Sequence, residues 1–443
     1  MSITSPPARA ADAGQLDQCA NPGLDGVVAA TTRLSHVDGA AGQLTIAGFP
    51  LEALAGHATF EDVLWLLWFD RPPAPAERAG LHAALAARRT LPPATLALLI
   101  AAAAAGVAPM DALRMAAATL DLPTHSALDG PGGLRSHPGQ DAAPADGTPA
   151  QPMASSTATT AVVEGTELPE DALGIVARLP TAVAAYARLA AGREPVPARA
   201  DLGHAAHLLW SLGGVAPAPS DVLALDTYLV TVSDHGFNAS TFTARVIAST
   251  GSDMVSALTG AIGALKGPLH GGAPGPALAL VHEVGTPERA EAVIRAKLAV
   301  GERLMGFGHR IYRVRDPRAD VLGRAAEALL VARGETELLE LARAVESTAQ
   351  RLLAEHKPDR AIRTNVEFYT ALLLHGLGLS PDQFTPVFAV GRSAGWTAHV
   401  LEQRREGRLI RPQSAYVGAE GRRWHGASGK GGHGAALPGR HIE

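Results

Sequence analysis

The chain has 443 residues, 47% of them hydrophobic and 18% charged, with a formal net charge of −5. That length is ample for two or three cores, and that balance excludes a disordered or supercharged chain. It also lacks the global positive field through which a protein binds nucleic acid or an anionic membrane, so neither is expected as a partner. Aromatic residues are only 4%, and the runs between glycines and prolines are rich in Ala, Leu, Arg and Glu, which predicts a mostly helical fold. Of the 38 basic residues only Lys266, Lys297, Lys357 and Lys430 are lysines; the rest are arginines, whose planar fork suits carboxylates and phosphates. The single cysteine, Cys19, excludes an internal disulfide and a multi-cysteine metal centre.

In chain order, MSITSPPARAADAG lacks the apolar core of a signal peptide, so a cytoplasmic protein with a disordered tail over residues 1–30 is expected. Residues 34–51 read as a short hairpin, because DGAAGQ supplies turn residues beside the β-favouring LTI. Leu91–Met110 is uncharged, but Pro92, Pro93 and Pro109 bracket it, which predicts a buried helix and not a membrane span. From 127 to 164 the chain is rich in Gly, Pro, Ser and Thr without periodicity and reads as an insertion. Val222, Leu225, Leu229 and Val232 mark a helix, as do Val366, Tyr369, Leu373 and Leu377 before a stop at Gly378. Thr286-Pro287, Asp316-Pro317, Ser380-Pro381 and Thr385-Pro386 each read as a helix start, with a capping side chain followed by a proline that has no N–H to waste. HGASGKGGHGAALPGRHIE reads as a flexible C-terminal tail.

Seventeen histidines invite a metal reading, but no HExxH occurs, and the close pair His204 and His207 reads as a packed helix face, so no metal site is expected. Three others sit at glycine-flanked breaks: His235 in SDHGFN, His270 in GPLHGG and His309 in GFGHR. Glycine there lets backbone approach a ligand. Gly306 and Gly308 lack the preceding strand and third glycine of a dinucleotide loop. Arg310, Arg313, Arg315 and Arg318 follow His309, with Arg392 and Arg411 further on. Arg318 falls in the first turn of the helix capped by Asp316, where free N–H groups favour an anion. Glu367 stands in the first turn of the helix from Asn365, which favours its ionised form. A carboxylate base, imidazole donors and guanidinium clamps together suit proton abstraction beside a carbonyl, with a di- or tricarboxylate held nearby.

The segments SDHGFNASTFTARVIAST, GAIGALKGPLHGGA, GFGHRIYRVRDPRA, NVEFYTALLLHGLG, FTPVFAVGRSAGWTAHVLEQ and RLIRPQSAYVG resemble successive signature blocks of the citrate synthase family, over roughly 31–418. The resemblance implies an all-α, two-domain fold. A large domain would comprise 31–272 and 380–418, a small domain of 273–379 would close over the cleft between them, and 419–443 would be a tail. It implies an acyltransferase that condenses oxaloacetate with acetyl-CoA and hydrolyses the thioester to citrate and CoA, without metal or other cofactor, as a homodimer or dimer-based oligomer. It assigns His270 to the thioester oxygen, His309 to the oxaloacetate carbonyl and Glu367 to proton abstraction. His235, Arg318 and Arg392 would bind oxaloacetate, Arg411 would reach the partner subunit's site, and Arg313 would meet a CoA phosphate.

One position departs from the family pattern: most members have aspartate where this chain has Glu367, a methylene that moves the carboxylate by about 1 Å, enough to matter in a fixed site. Pro274-Gly275-Pro276 is a second departure. A 2-methylcitrate synthase using propionyl-CoA shares every block, and a non-catalytic paralogue that binds CoA or a tricarboxylate is the alternative from another class.

Overall fold

Helix-forming runs punctuated by proline are laid out in the computed structural model as sixteen α-helices among the described residues, which are 22–24, 26–124, 161–272, 274–309, 311, 312, 314–360 and 362–420. Proline stands at the start of seven of these helices, where its fixed φ is pre-set for the helix. The chain opens with β1 (Ser35–Asp38), β2 (Gln43–Ile46) and β3 (Phe49–Pro50), an antiparallel ribbon in which Ser35 faces Ile46 and Thr45 faces Pro50. The expected hairpin therefore gains a third strand, turned back at Ala47 and Gly48, both at positive φ.

Five helices follow: α1 (Leu51–Leu54), α2 (Phe60–Phe69), α3 (Pro75–Ala86), α4 (Pro93–Ala104) and α5 (Pro109–Ala117). The uncharged run from Leu91 thus becomes α4 and the start of α5. It is not wholly buried: α4 turns Thr95, Leu99 and Ala102 inward and leaves Ile100 exposed. Most of the expected insertion, the N-terminal tail to residue 21 and the C-terminal tail from 421 lie outside the described residues; the insertion's last residues form β4 (Val162–Val163), paired with β5 (Thr166–Glu167).

The helices that build the site come next: α6 (Glu170–Ala190), α7 (His204–Gly213), α8 (Pro219–Val232), α9 (Ala239–Ser249), α10 (Met254–Leu265), α11 (Pro274–Val284), α12 (Ala290–Ala299), α13 (Pro317–Arg333), α14 (Thr336–His356), α15 (Val366–Gly376) and α16 (Pro381–Glu406). The Asp316 and Ser380 starts hold, whereas Thr286-Pro287 opens only a 3-10 turn before α12. Thr385-Pro386 is no start at all: Pro386 lies inside α16, close enough to its N-terminus for one missing N–H to be tolerated, and Thr385 Oγ1 donates to Gly271 O at 2.8 Å.

Residues Ala30–Ile410 form one compact unit; the described residues 22–24, 26–29 and 411–420 belong to a separate small one. In the large unit α16 is buried along most of its length, with Trp396 and Phe384 fully enclosed, as an interior helix must be. It approaches α8 closely because Gly391 and Gly395 present no side chain: a Cβ at Gly391 would stand 2.6 Å from Val232 Cγ2. Each glycine costs about 1 kcal/mol of helix propensity, which the close packing offsets. His204 stacks on Phe60 at 4.3 Å and His207 Nε2 meets Thr181 Oγ1 at 3.0 Å, so the pair is a packed face.

Candidate active site

The C-terminal end of α8 and the N-terminal ends of α9, α13 and α15 gather around the turn 233–238, which carries His235. That residue is 7% exposed, its Nε2 is 3.1 Å from Tyr312 Oη, and its ring stands edge-on to His309 with centroids 5.8 Å apart. Asn238 ends the turn by capping α9, its Oδ1 accepting from Thr241 N at 3.1 Å.

His309 lies in a segment fixed mainly by backbone. Gly306 and Gly308 take φ of 89° and 83°, Gly308 N donates to Arg363 O at 2.7 Å, and Asn365 spans the segment, N to Gly306 O and Nδ2 to Gly308 O. The same Asn365 caps α15 through Glu367 N, so one residue fixes His309 and the helix that carries Glu367 together. The His309 Nδ1 accepts from Ile311 N at 3.0 Å and Tyr312 N at 3.1 Å. In the neutral ring the proton is therefore on Nε2. That nitrogen lies 3.2 Å from Arg318 Nη2, so two donors converge where a carbonyl or carboxylate oxygen can accept both.

His270 follows α10, and its Nε2 is 2.8 Å from Ser240 Oγ. Trp396 Nε1 donates to the same hydroxyl at 3.0 Å, and Asn238 Oδ1 lies 2.8 Å away. Ser240 has one proton and two takers; given to His270, it leaves the imidazole N–H on Nδ1, free to donate elsewhere. The His270 ring meets Phe388 edge-on, and Phe388 lies beneath the Arg392 guanidinium at 4.9 Å.

Two guanidinium groups complete the set. Arg318 is held by Asp316 through Nε at 3.0 Å and Nη2 at 2.8 Å. Asp316 also caps its own helix at Arg318 N and reaches Val366 N at 3.2 Å, so one buried carboxylate ties α13 to α15. Arg392 donates Nε to Val232 O at 2.6 Å, while its buried Nη1 has no hydrogen-bond partner among the described residues. A buried cation with an unspent N–H is a receptor for an anion.

Burial governs the protonation states. It lowers His270 and His309 to about 4 and His235 well below its ordinary value, with Arg318 and Arg392 adding to the depression at His235. All three imidazoles are neutral donors near neutral pH. Burial lowers Arg392 to about 10, which leaves it charged. It raises Glu367 to about 7, with Arg318 pulling down, Asp316 pushing up and Arg392 pulling down. This corrects the expectation from the helix N-terminus: desolvation outweighs the helix end, and the carboxyl is poised between its two forms.

The structure thus brings together His235, His270, His309, Arg318, Glu367 and Arg392. Arg313 and Arg310 lie outside the described residues. Arg411 belongs to the small unit and is exposed. Arg315 is spent on Asp320 and Glu346. Sequence reasoning passed over Tyr312, Ser240, Phe388 and Tyr228, the last lying where the charges of Glu367 and Arg392 act on it. Only Ser240 carried a signal, the short spacing after His235 and Asn238.

A family profile described as citrate synthase, C-terminal domain, matches residues 23–413. The chain is 38% identical over 401 residues to citrate synthase 2 of Bacillus subtilis strain 168, covering 90% of this chain and 96% of that protein. It is 37% identical over 400 residues to the 2-methylcitrate synthase of Mycobacterium tuberculosis strain Erdman, covering 90% and 91%. Its fold is similar to the solved citrate synthase of Thermoplasma acidophilum in ternary complex with carboxymethyl coenzyme A and oxaloacetate, with a TM-score of 0.72 and 25% identity over 90% of this chain and 96% of that one.

Proposed function

Because the chain belongs to the citrate synthase family, we propose that it condenses oxaloacetate with acetyl-CoA and hydrolyses the resulting thioester to citrate and CoA. The observation that carries this reading is the meeting of two buried guanidinium groups, Arg318 and Arg392, with neutral imidazoles and a carboxyl poised near 7. Oxaloacetate supplies the carboxylates that the arginines need, and its ketone oxygen suits the converging N–H groups of His309 and Arg318.

In this mechanism Glu367, ionised, removes a proton from the acetyl methyl group while the His270 Nδ1–H stabilises the oxygen of the enolate. The enolate carbon attacks the ketone, and His309 Nε2–H supplies the proton to the new alkoxide. Water then cleaves the thioester. Each developing charge meets a side chain of the protein, so the reaction needs no cofactor beyond the thioester substrate. His235 and Arg392 hold oxaloacetate in place, and Arg313 meets a CoA phosphate. The Glu367 carboxyl is buried where the charges of Arg318, Asp316 and Arg392 act on it, and a shift of backbone or of a neighbouring side chain would accommodate its extra methylene.

The same reading makes the protein a cytoplasmic homodimer in which Arg411 completes the site of the partner subunit, with 273–379 closing as a small domain over the rest. Propionyl-CoA is the competing substrate, which would make the protein a 2-methylcitrate synthase, the name its Mycobacterium relative bears. Free-thiol release from acetyl-CoA and propionyl-CoA, each with and without oxaloacetate, tests the reading. Release that requires oxaloacetate and favours acetyl-CoA supports it. Preference for propionyl-CoA moves it to 2-methylcitrate synthesis, equal release without oxaloacetate points to a thioesterase, and no release leaves a binding protein.

A further inference from the structure

Behind the site, one stripe of α16 grips the end of α8 and the turn after it, in register. Arg392 Nε donates to Val232 O at 2.6 Å, Gly395 N donates to Ser233 O at 3.0 Å, and His399 Nε2 reaches Asp234 Oδ2 at 3.2 Å. Steps of three and four residues keep these groups on one helix face, so successive contacts meet successive residues up to the neighbour of His235. Gly395 makes the approach possible, since a Cβ there would stand 2.5 Å from Asp234 Oδ1 and closer still to Ser233 O.

The grip is electrostatically fixed. His399 and Asp234 are both 0% exposed. His399 Nδ1 is 3.1 Å from Arg245 Nη1, which can only donate, so Nδ1 accepts and the ring proton sits on Nε2, facing Asp234. Arg245 in turn binds Glu402 at 2.5 Å and Gln403 at 3.0 Å. On the other side, the Ser35 hydroxyl donates to Asp234 Oδ2 at 2.5 Å and accepts from Gly236 N at 2.7 Å. The residues before and after His235 are therefore both held by one serine.

We infer that Ser35, Asp234 and His399 are positioning residues, which set the turn carrying His235 and its distance from Arg392 and thereby tune the affinity for the dicarboxylate substrate. The inference rests on the reading that His235 and Arg392 hold oxaloacetate. A fold-stabilising network alone would not need to clamp both neighbours of one imidazole, nor share the helix face that presents Arg392.

The test compares Ser35→Ala, His399→Leu and His399→Gln with the wild type. The readouts are calorimetric titration with oxaloacetate alone, thiol release with acetyl-CoA, and melting temperature. Ser35→Ala removes one hydroxyl from a half-buried site, and a roughly tenfold rise in both Kd and KM for oxaloacetate is expected from the loss of about one hydrogen bond to a charged group, with the KM for acetyl-CoA unchanged. His399→Leu takes the imidazole N–H from the buried Asp234 carboxylate and raises the same constants further. Glutamine offers one donor and one acceptor, as the fixed imidazole does, so His399→Gln restores most of the affinity. Melting temperatures that fall while the oxaloacetate constants of Ser35→Ala stay at wild-type values overturn the inference, and that variant decides alone if His399→Leu does not fold. Wild-type enzyme without oxaloacetate-dependent thiol release overturns the functional reading first, so the two failures are distinct.

Discussion

His235 and His309 face each other across 5.8 Å, yet they are held by opposite means. The turn of His235 is locked by a side-chain network around the buried Asp234 carboxylate, drawn from α16, α9 and β1. The segment of His309 is tied mainly by backbone amides and by Asn365, across two glycines at positive φ. Opening the first strands buried charges, which is expensive; re-forming the second exchanges a few backbone hydrogen bonds and glycine dihedrals, which is cheap. On the proposed function, the difference would make the His235 and Arg392 side the firmer support for oxaloacetate and the His309 segment the part more easily adjusted around it.

The largest effect that could break this division is expected at Glu367. Glu367→Gln should lower kcat by about 10²–10⁴-fold while leaving oxaloacetate affinity near that of the wild type, measured by thiol release and calorimetry. The pH profile sharpens it. Since Glu367 ionises at about 7 in the fold, kcat/KM should rise with pH through that value, and the limb should vanish in the glutamine variant. For stability the sign reverses. The folded pKa lies above the ordinary 4.5, so this group's contribution is complete below about pH 4.5 and is lost as pH climbs through 7, which denaturant titrations of both proteins would show.

Next comes Arg392→Leu, which empties the fixed side of its unspent N–H. A rise in oxaloacetate KM on the order of a hundredfold is expected, with little change for acetyl-CoA. If the Ser240 proton goes to His270 Nε2 and not to Asn238 Oδ1, Ser240→Ala should cost about tenfold in kcat. An equal loss in oxaloacetate affinity would show that Ser240 serves the turn and not the imidazole. The smallest change is Gly308→Ala. With φ at 83°, a Cβ costs about 1–2 kcal/mol, read as a lower melting temperature; an unchanged melting temperature would mean that the adjustable side bears no strain there.

The same contrast explains what could be read in the sequence. Asp316-Pro317 and Ser380-Pro381 were legible as helix starts because a cap and a proline act locally, and the three glycine-flanked histidines stood out because glycine marks a break. Thr385-Pro386 misled because only tertiary structure shows that Thr385 donates to Gly271 and that α16 already runs through it. The ionisation of Glu367 is misjudged for a related reason: a helix end is written in neighbouring residues, but desolvation depends on burial by the tertiary fold. The His399 grip was likewise invisible, since its partners come from three separate stretches of chain.

Asp316 carries a final consequence. Its carboxylate takes the N–H groups of Arg318 and of Val366 at once, so the Arg318 cation and the helix that carries Glu367 hang from one hinge pin. Any displacement of Arg318 toward an incoming carboxylate is passed to the first turn of α15, where Glu367 stands. On the proposed function, a carboxylate drawn to Arg318 would thus bear on the helix that carries Glu367 through a single side chain.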